Sequence, residues 1–379
     1  MPENSGKNTD KSLTPNAMSR LTVDENVPLA PHTTLKVGGP ARFLARASTE
    51  EQIIDALEFA RKRACPVFIL GGGSNVLISD SGFPGLVLKI EIPGIREEPD
   101  GSISAAAGEE WDAFVRHCVD RNLAGIECLS GIPGTVGGTP VQNVGAYGAE
   151  VGEVIAQVRV LDRTNASILN LSGNDCGFAY RTSIFNSCSR DRFIVLRIGF
   201  SLRPGGTPRI RYQDLQRHFS GKTRPPGLQE VRDAVLQIRD VKGMVLRDQD
   251  PDSRSAGSFF KNPVLSPEQV SGVEEKARSI GILRPSERVP RFAAASGQEK
   301  VAAAWLVERA GFHRGFISGR AGISRKHSLA IINLGGAGAH DIVDLMRSIQ
   351  ERVHTLFGID LLPEPVFIGN FNFGVRHPN

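Results

Sequence analysis

Apolar residues recur at helical spacing in four stretches of the chain. Between Ser48 and Pro66, Ile53, Leu57 and Ala60 fall on one face. Ser48 and Glu51 read as a capping box, and Pro66 marks the exit. "EEWDAFVRHCVDRN" sets Trp111, Phe114, Val115 and Cys118 on one side of a second helix, and "LQEVRDAVLQIRDVKG" gives a third, with Gly243 near its C-terminal cap. "AHDIVDLMRSIQERVHTLFG" carries a stripe of Ile342, Leu345, Ile349, Val353 and Leu356 and stops at Gly358. A stripe of that kind is core. Short apolar runs predict strands: "VFIL" (67–70), "GLVLKI" (85–90), "IAQVRVLD" (155–162), "ASILNL" (166–171) and "RFIVLRIGFSL" (192–202). "LLPEPVFIGNFNFG" predicts a final strand that returns to an earlier domain. Helices and strands mix without repeat, so the fold class is α+β.

A chain of 379 residues is too long for one simple core. Breaks near residues 93 and 244 predict three units, after a polar leader over 1–23 that is expected to be disordered. Net charge is +4, with no dense basic stretch, which argues against nucleic acid and suits an anionic small molecule. The five cysteines (65, 118, 128, 176, 188) have no C-x-x-C spacing. Neither a disulfide framework nor a metal site is expected, and a reducing cytoplasm fits. No apolar run is long enough for a membrane span.

Two glycine-rich stretches point to a ligand. "ILGGGSNVLI" ends a strand in Gly71, Gly72 and Gly73, followed by Ser74 and Asn75. Glycine lets main-chain amides approach an anion, and a run of amides forms an anion-binding concavity. A P-loop would need G-K-[ST], which is absent. A dinucleotide fingerprint would need a glycine where Val76 stands, and a helix where "VLI" reads as strand. "SGIPGTVGGTPVQNVGAYG" then packs six glycines and two prolines into 19 residues. So much bare backbone in two separated loops suggests one long ligand lying across both, such as FAD.

Six motifs in order, "TTLKVGGPARF", "ILGGGSNVLI", "SGIPGTVGGTPVQNVGAYGAEV", "YRTSIF", "AGSFFKNP" and "LLPEPVFIG", resemble the UDP-N-acetylenolpyruvoylglucosamine reductase family over about residues 24–369. The resemblance implies a two-lobed FAD-binding domain of the vanillyl-alcohol-oxidase type plus a smaller α+β substrate-binding domain. Lobe 1 would span 24–92, joined by a C-terminal strand at about 360–379; lobe 2 would span 93–243, and the substrate domain 244–359. FAD would lie against Gly71, Gly72, Gly73, Ser74 and Asn75, and against Thr135, Gly137, Asn143, Gly145 and Ala146. The implied reaction uses NADPH to reduce FAD, then delivers hydride to UDP-N-acetylglucosamine enolpyruvate, giving UDP-N-acetylmuramate for peptidoglycan. A cytoplasmic monomer is expected.

The same resemblance assigns the chemistry. Arg181 would bind the substrate carboxylate and stabilise the enolate, its fork matching a carboxylate. Ser258 would donate the proton, which the basicity of a carbanion makes feasible. Glu364, between two prolines, would assist as a neutral acid if burial raises its pKa. Tyr212 in "RYQDL" would close over the UDP, the mark of one subclass; Lys242 would hold the diphosphate and Asn262 would contact substrate. His117 and His340 read as solvated or capping residues and His327 as structural. The competing readings are an FAD oxidase or dehydrogenase of an alcohol or sugar, and a nucleotide-binding module without catalysis.

Overall fold

The computed structural model describes residues 21–98 and 102–371. The first sheet runs in the order Val23–Pro28, Pro40–Ala47, Phe83–Ile90, Val67–Leu70. Phe83–Ile90 is parallel to both of its neighbours, and the helix Glu50–Lys62 makes the crossover between them. Both faces of this central strand are covered. Leu86 and Leu88 enter the large core shared with the second sheet, while Val87 enters a smaller one with Leu29, Leu44, Leu70 and Ile368. That is why "GLVLKI" reads as an unbroken apolar run rather than an alternation.

The helix starts one residue later than its sequence suggests. Thr49 is the N-cap, accepting from the Gln52 amide, while Gln52 Oε1 accepts from the Ser48 amide and hydroxyl. The capping partner is thus Gln52 and not Glu51. The leader also ends earlier than expected: Val23 already pairs with Ala45, and Leu21 and Val23 pack on the core. The expected leader otherwise lies at 1–20, outside the described residues.

The second sheet is antiparallel throughout, in the order Ser167–Ser172, Ile155–Asp162, Phe193–Phe200, Ile103–Ala106, Ile95–Glu97. The helix Trp111–Asp120 buries Trp111, Phe114, Val115 and Cys118 completely against it. Trp111 keeps its one polar atom satisfied by donating to the Leu129 carbonyl at 3.0 Å. The helix Leu228–Val241 follows, with its own small core around Val231, Ala234 and Val235.

The remaining chain packs the helices Pro267–Ser279, Ala303–Arg309 and Ala339–Phe357 around two three-stranded sheets. In the last helix Ile342, Leu345, Ile349 and Val353 are buried at the centre of a separate core. The chain then returns to the first unit. Val366–Ile368 runs parallel to Val76–Ile78, which is why a strand and not a helix follows the first glycine loop. Residues 372–379 of the expected C-terminal strand lie outside the described residues. Further ties fasten the C-terminal part to the first sheet's unit: Thr34 donates to the Ser255 carbonyl at 2.6 Å, Asn333 to the Leu35 carbonyl at 3.1 Å, and Asp80 caps the helix at Ala339 and His340.

Candidate active site

The two glycine loops touch main chain to main chain. A Cβ on Gly72 would stand 2.6 Å from Gly134 Cα, and one on Gly71 would stand 2.8 Å from Thr135 Oγ1. Gly73 has φ +64, and a side chain there would strike the His32 carbonyl at 2.0 Å. Among the described residues, none of the five amides from Gly71 to Asn75 donates to a protein acceptor. Buried or half-buried amides rarely go unpaired, and four of these five residues are buried or half-buried. Unpaired amides in succession at the end of a strand form a concavity of the kind that can bind an anion. We expect Gly72→Ala to force the loops apart and weaken FAD binding by about 10- to 100-fold, from an overpacking cost of roughly 1–3 kcal/mol. Flavin content of the purified variant checks this; full occupancy would refute it.

Asn75 links the cradle to the reaction site. Its Nδ2 donates to Gln142 Oε1 at 2.8 Å and to the Glu364 carbonyl at 3.3 Å, and its own carbonyl accepts from Val366 at 2.9 Å. The Glu364 amide in turn donates to the Phe259 carbonyl at 2.8 Å, which fixes the residue next to Ser258. Three distant segments therefore meet at Glu364.

Arg181 arrives from a fourth. Ala179 and Thr182 exchange two main-chain hydrogen bonds of 3.0 Å around a tight turn of Tyr180 and Arg181. Arg181 has φ +54, a position where such a turn normally takes glycine. A long side chain held there is strained by roughly 1–3 kcal/mol, a cost commonly found at functional positions. One guanidinium nitrogen donates to the Gly145 carbonyl at 3.1 Å. Nε lies 3.0 Å from Glu364 Oε1, both side chains being largely buried. That N–H does not point along the line to the oxygen, so Nε is a buried donor without a hydrogen bond.

Ser258 follows Gly257 at φ +77, with Phe259 and Phe260 buried behind it. Its Oγ is 3.0 Å from His327 Nε2. Sequence reasoning gave His327 only a structural part, because no local pattern ties residues 69 positions apart. Burial, with the positive charges of Lys242, Arg314 and Arg239, pushes the imidazole down to about 4. It is neutral at physiological pH.

Lys242 Nζ pairs with Asp214 Oδ2 at 2.9 Å and lies about 6 Å from the rings of both Tyr147 and Tyr212. Burial alone would lower this ammonium, but Asp214 and the two phenols hold it above its ordinary value. The Tyr147 and Tyr212 rings meet edge to face at 5.4 Å. Asn262 Oδ1 accepts from the Ala303 amide at 2.9 Å, capping a helix whose own N-cap, Ala302, has no side-chain oxygen.

Two expected flavin contacts have other work for their polar groups. Asn143 is buried, and its amide group bonds Glu150, Ala179 and Gly152. Gly137 donates its N–H to Ala107, and a Cβ there would meet that residue at 2.6 Å. Both shape the loop from inside. Gly145 and Ala146 form one strand of a hairpin with Ala149–Glu150, turned by Tyr147 and Gly148. His340 pairs with Asp80 at 2.8 Å, and His117 meets Arg121 at the surface. A cavity of about 570 Å³ near Glu50, Arg159 and Arg197 shares no residue with this cluster.

The chain has the α+β fold of a flavin-binding protein, with a run of unpaired amides beside an arginine, a glutamate and a serine. Residues 41–172 match the FAD binding domain, and 249–368 match the "UDP-N-acetylenolpyruvoylglucosamine reductase, C-terminal domain". A protein of Thermobifida fusca named UDP-N-acetylenolpyruvoylglucosamine reductase is 46% identical over 353 residues, covering 91% of this chain and 97% of the relative. One of Cutibacterium acnes with the same name is 42% identical over 362 residues, covering 92% and 91%. The crystal structure of UDP-N-acetylenolpyruvylglucosamine reductase from Thermus caldophilus aligns with a TM-score of 0.63 at 25% identity, over 92% of this chain and 99% of that one. The chain belongs to the UDP-N-acetylenolpyruvoylglucosamine reductase family. No helix among the described residues is long and apolar enough to cross a membrane.

Proposed function

We propose that this chain is an FAD enzyme that reduces UDP-N-acetylglucosamine enolpyruvate to UDP-N-acetylmuramate with electrons from NADPH. The observation that carries the reading is the meeting of Arg181 and Glu364 at 3.0 Å, on the segment whose amide bonds the neighbour of Ser258. The amides of Gly71–Asn75 would hold the phosphates of FAD, which when bound would supply the hydride. Hydride addition to the terminal alkene carbon leaves negative charge on the adjacent carbon, delocalised into the carboxylate. Arg181 receives that carboxylate with its guanidinium and adds positive charge where negative charge grows. Glu364 keeps the guanidinium aimed. The Ser258 hydroxyl gives its proton to the carbanion.

Lys242 exchanges Asp214 for the substrate diphosphate, and Tyr212 moves off Tyr147 to close over the nucleotide, the subclass with a mobile tyrosine. Asn262 Nδ2 remains available for the sugar. Residues up to 92 with Val366–Ile368, residues 93–243, and residues 244–359 act as two flavin lobes and a substrate domain. Five unpaired cysteines suit a cytoplasmic enzyme.

The test is anaerobic. The yellow holoenzyme is bleached with one equivalent of NADPH and then mixed with the enolpyruvyl sugar. We expect the flavin colour to return and UDP-N-acetylmuramate to form. Return of colour only with oxygen, with no sugar product, would replace this reading by an oxidase.

A further inference from the structure

The proton donor in the proposed reaction has a neighbour with no assigned role. Ser258 Oγ and His327 Nε2 lie 3.0 Å apart. The contact is fixed from both sides: Phe259 donates to the Leu329 carbonyl at 2.8 Å, and Ala330 donates to the His327 carbonyl at 3.1 Å. The strands and turns that carry the two residues are thus knitted directly beside the pair. We propose that His327 is a positioning residue for Ser258, donating its Nε2–H to Oγ and stabilising the negative charge that grows there as the serine gives up its proton. The inference rests on the reading of Ser258 as proton donor.

The chemistry selects the direction of this bond. During the transfer the Oγ–H bond breaks as the new C–H bond forms, and the electron pair stays on Oγ. Water reprotonates the oxygen after product leaves. An alkoxide-like oxygen needs donors, and a main-chain turn on Gly257 offers it none directly. If His327 instead accepted from Ser258, it would hold the very proton that the carbanion must receive. The ring stays neutral at working pH because it is buried among cations. It therefore supplies a hydrogen bond without competing as an acid. Nδ1 has no protein partner among the described residues, which leaves the Nε2-protonated tautomer unopposed.

The experiment uses the FAD holoenzyme and follows both half-reactions. His327→Leu removes the donor and should slow reoxidation by the enolpyruvyl sugar about 10²–10³-fold, the usual loss for one oxyanion donor. His327→Gln restores an N–H and should recover most of that rate, which a merely structural role would not require. In a Ser258→Ala background the Leu substitution should cost nothing more. A parental rate for His327→Leu, no recovery with Gln, or an added loss on top of Ser258→Ala would each overturn the proposal. Nitrogen-15 NMR of the unsubstituted protein decides the matter even if a variant loses flavin. A proton on Nε2 supports the proposal, and a bare Nε2 refutes it. Failure of the parental enzyme to use the enolpyruvyl sugar would instead sink the functional reading, and the NMR result would still stand on its own.

Discussion

Ser258→Ala is expected to abolish sugar-driven reoxidation while leaving reduction by NADPH and flavin content intact. The change deletes one oxygen from a half-buried position. Gly257 holds the turn at φ +77, and Phe259 and Phe260 keep the segment anchored in the core. The fold has no reason to respond. On the proposed mechanism the reaction does, because the carbanion beside the carboxylate would lose its proton source. General acids contribute about 10²–10⁴-fold, and water is the poor substitute here. Stopped-flow mixing of NADPH-reduced enzyme with the enolpyruvyl sugar reads the step directly. A variant that reoxidises at the parental rate would remove Ser258 from the mechanism. Loss of both half-reactions together would point to a structural part instead. Ser258→Cys should fall between, since a thiol can donate but is longer and meets His327 less well.

How far the sequence disclosed this site depends on the kind of residue. The glycine loops were readable because bare backbone is expensive, and an anion cradle is one of the few things that needs it. The loops meet face to face at Gly72 and Gly134, which no spacing rule foretells. Trp111, Phe114, Val115 and Cys118 were readable because helical period and burial coincide there. The start of the first helix was misplaced by one residue because Ser48, Thr49, Glu51 and Gln52 offer two overlapping capping pairs. Only the main-chain direction picks Thr49 with Gln52. Asn143 drew attention by its place in the loop, yet three internal hydrogen bonds use its side chain. The contact of His327 with Ser258 was not legible for the opposite reason. Its partner is far away in the chain, and nothing local marks a histidine made neutral by burial. Arg181, Ser258 and Glu364 were assigned through the family motifs. Each by composition alone is an ordinary polar residue; the structure brings Arg181 to Glu364 and ties Glu364 to the residue after Ser258.

Arg181→Lys is the second large effect expected. The charge is kept, so a purely electrostatic role would survive the change. The geometry would not. The guanidinium reaches the Gly145 carbonyl with one nitrogen and faces Glu364 with Nε at 3.0 Å. An ammonium is a point charge that cannot span these directions at once. With Lys at this position Glu364 would compete with the substrate carboxylate for one group, and the developing negative charge would lose its second contact. We expect reoxidation to fall about 10²–10³-fold, the scale for removing a preorganised donor from a growing anion. Reduction by NADPH should change far less, because no carboxylate is then in place. The strain at φ +54 belongs to the turn and not to the guanidinium, so lysine inherits it, and stability should fall by about 0.5–1.5 kcal/mol at most, the scale of the one hydrogen bond lost to Gly145. Parental reoxidation by Arg181→Lys would show that charge alone suffices and that the fork has no part. A large drop in thermal stability would show that the Arg181–Glu364 pair serves the fold before it serves the reaction.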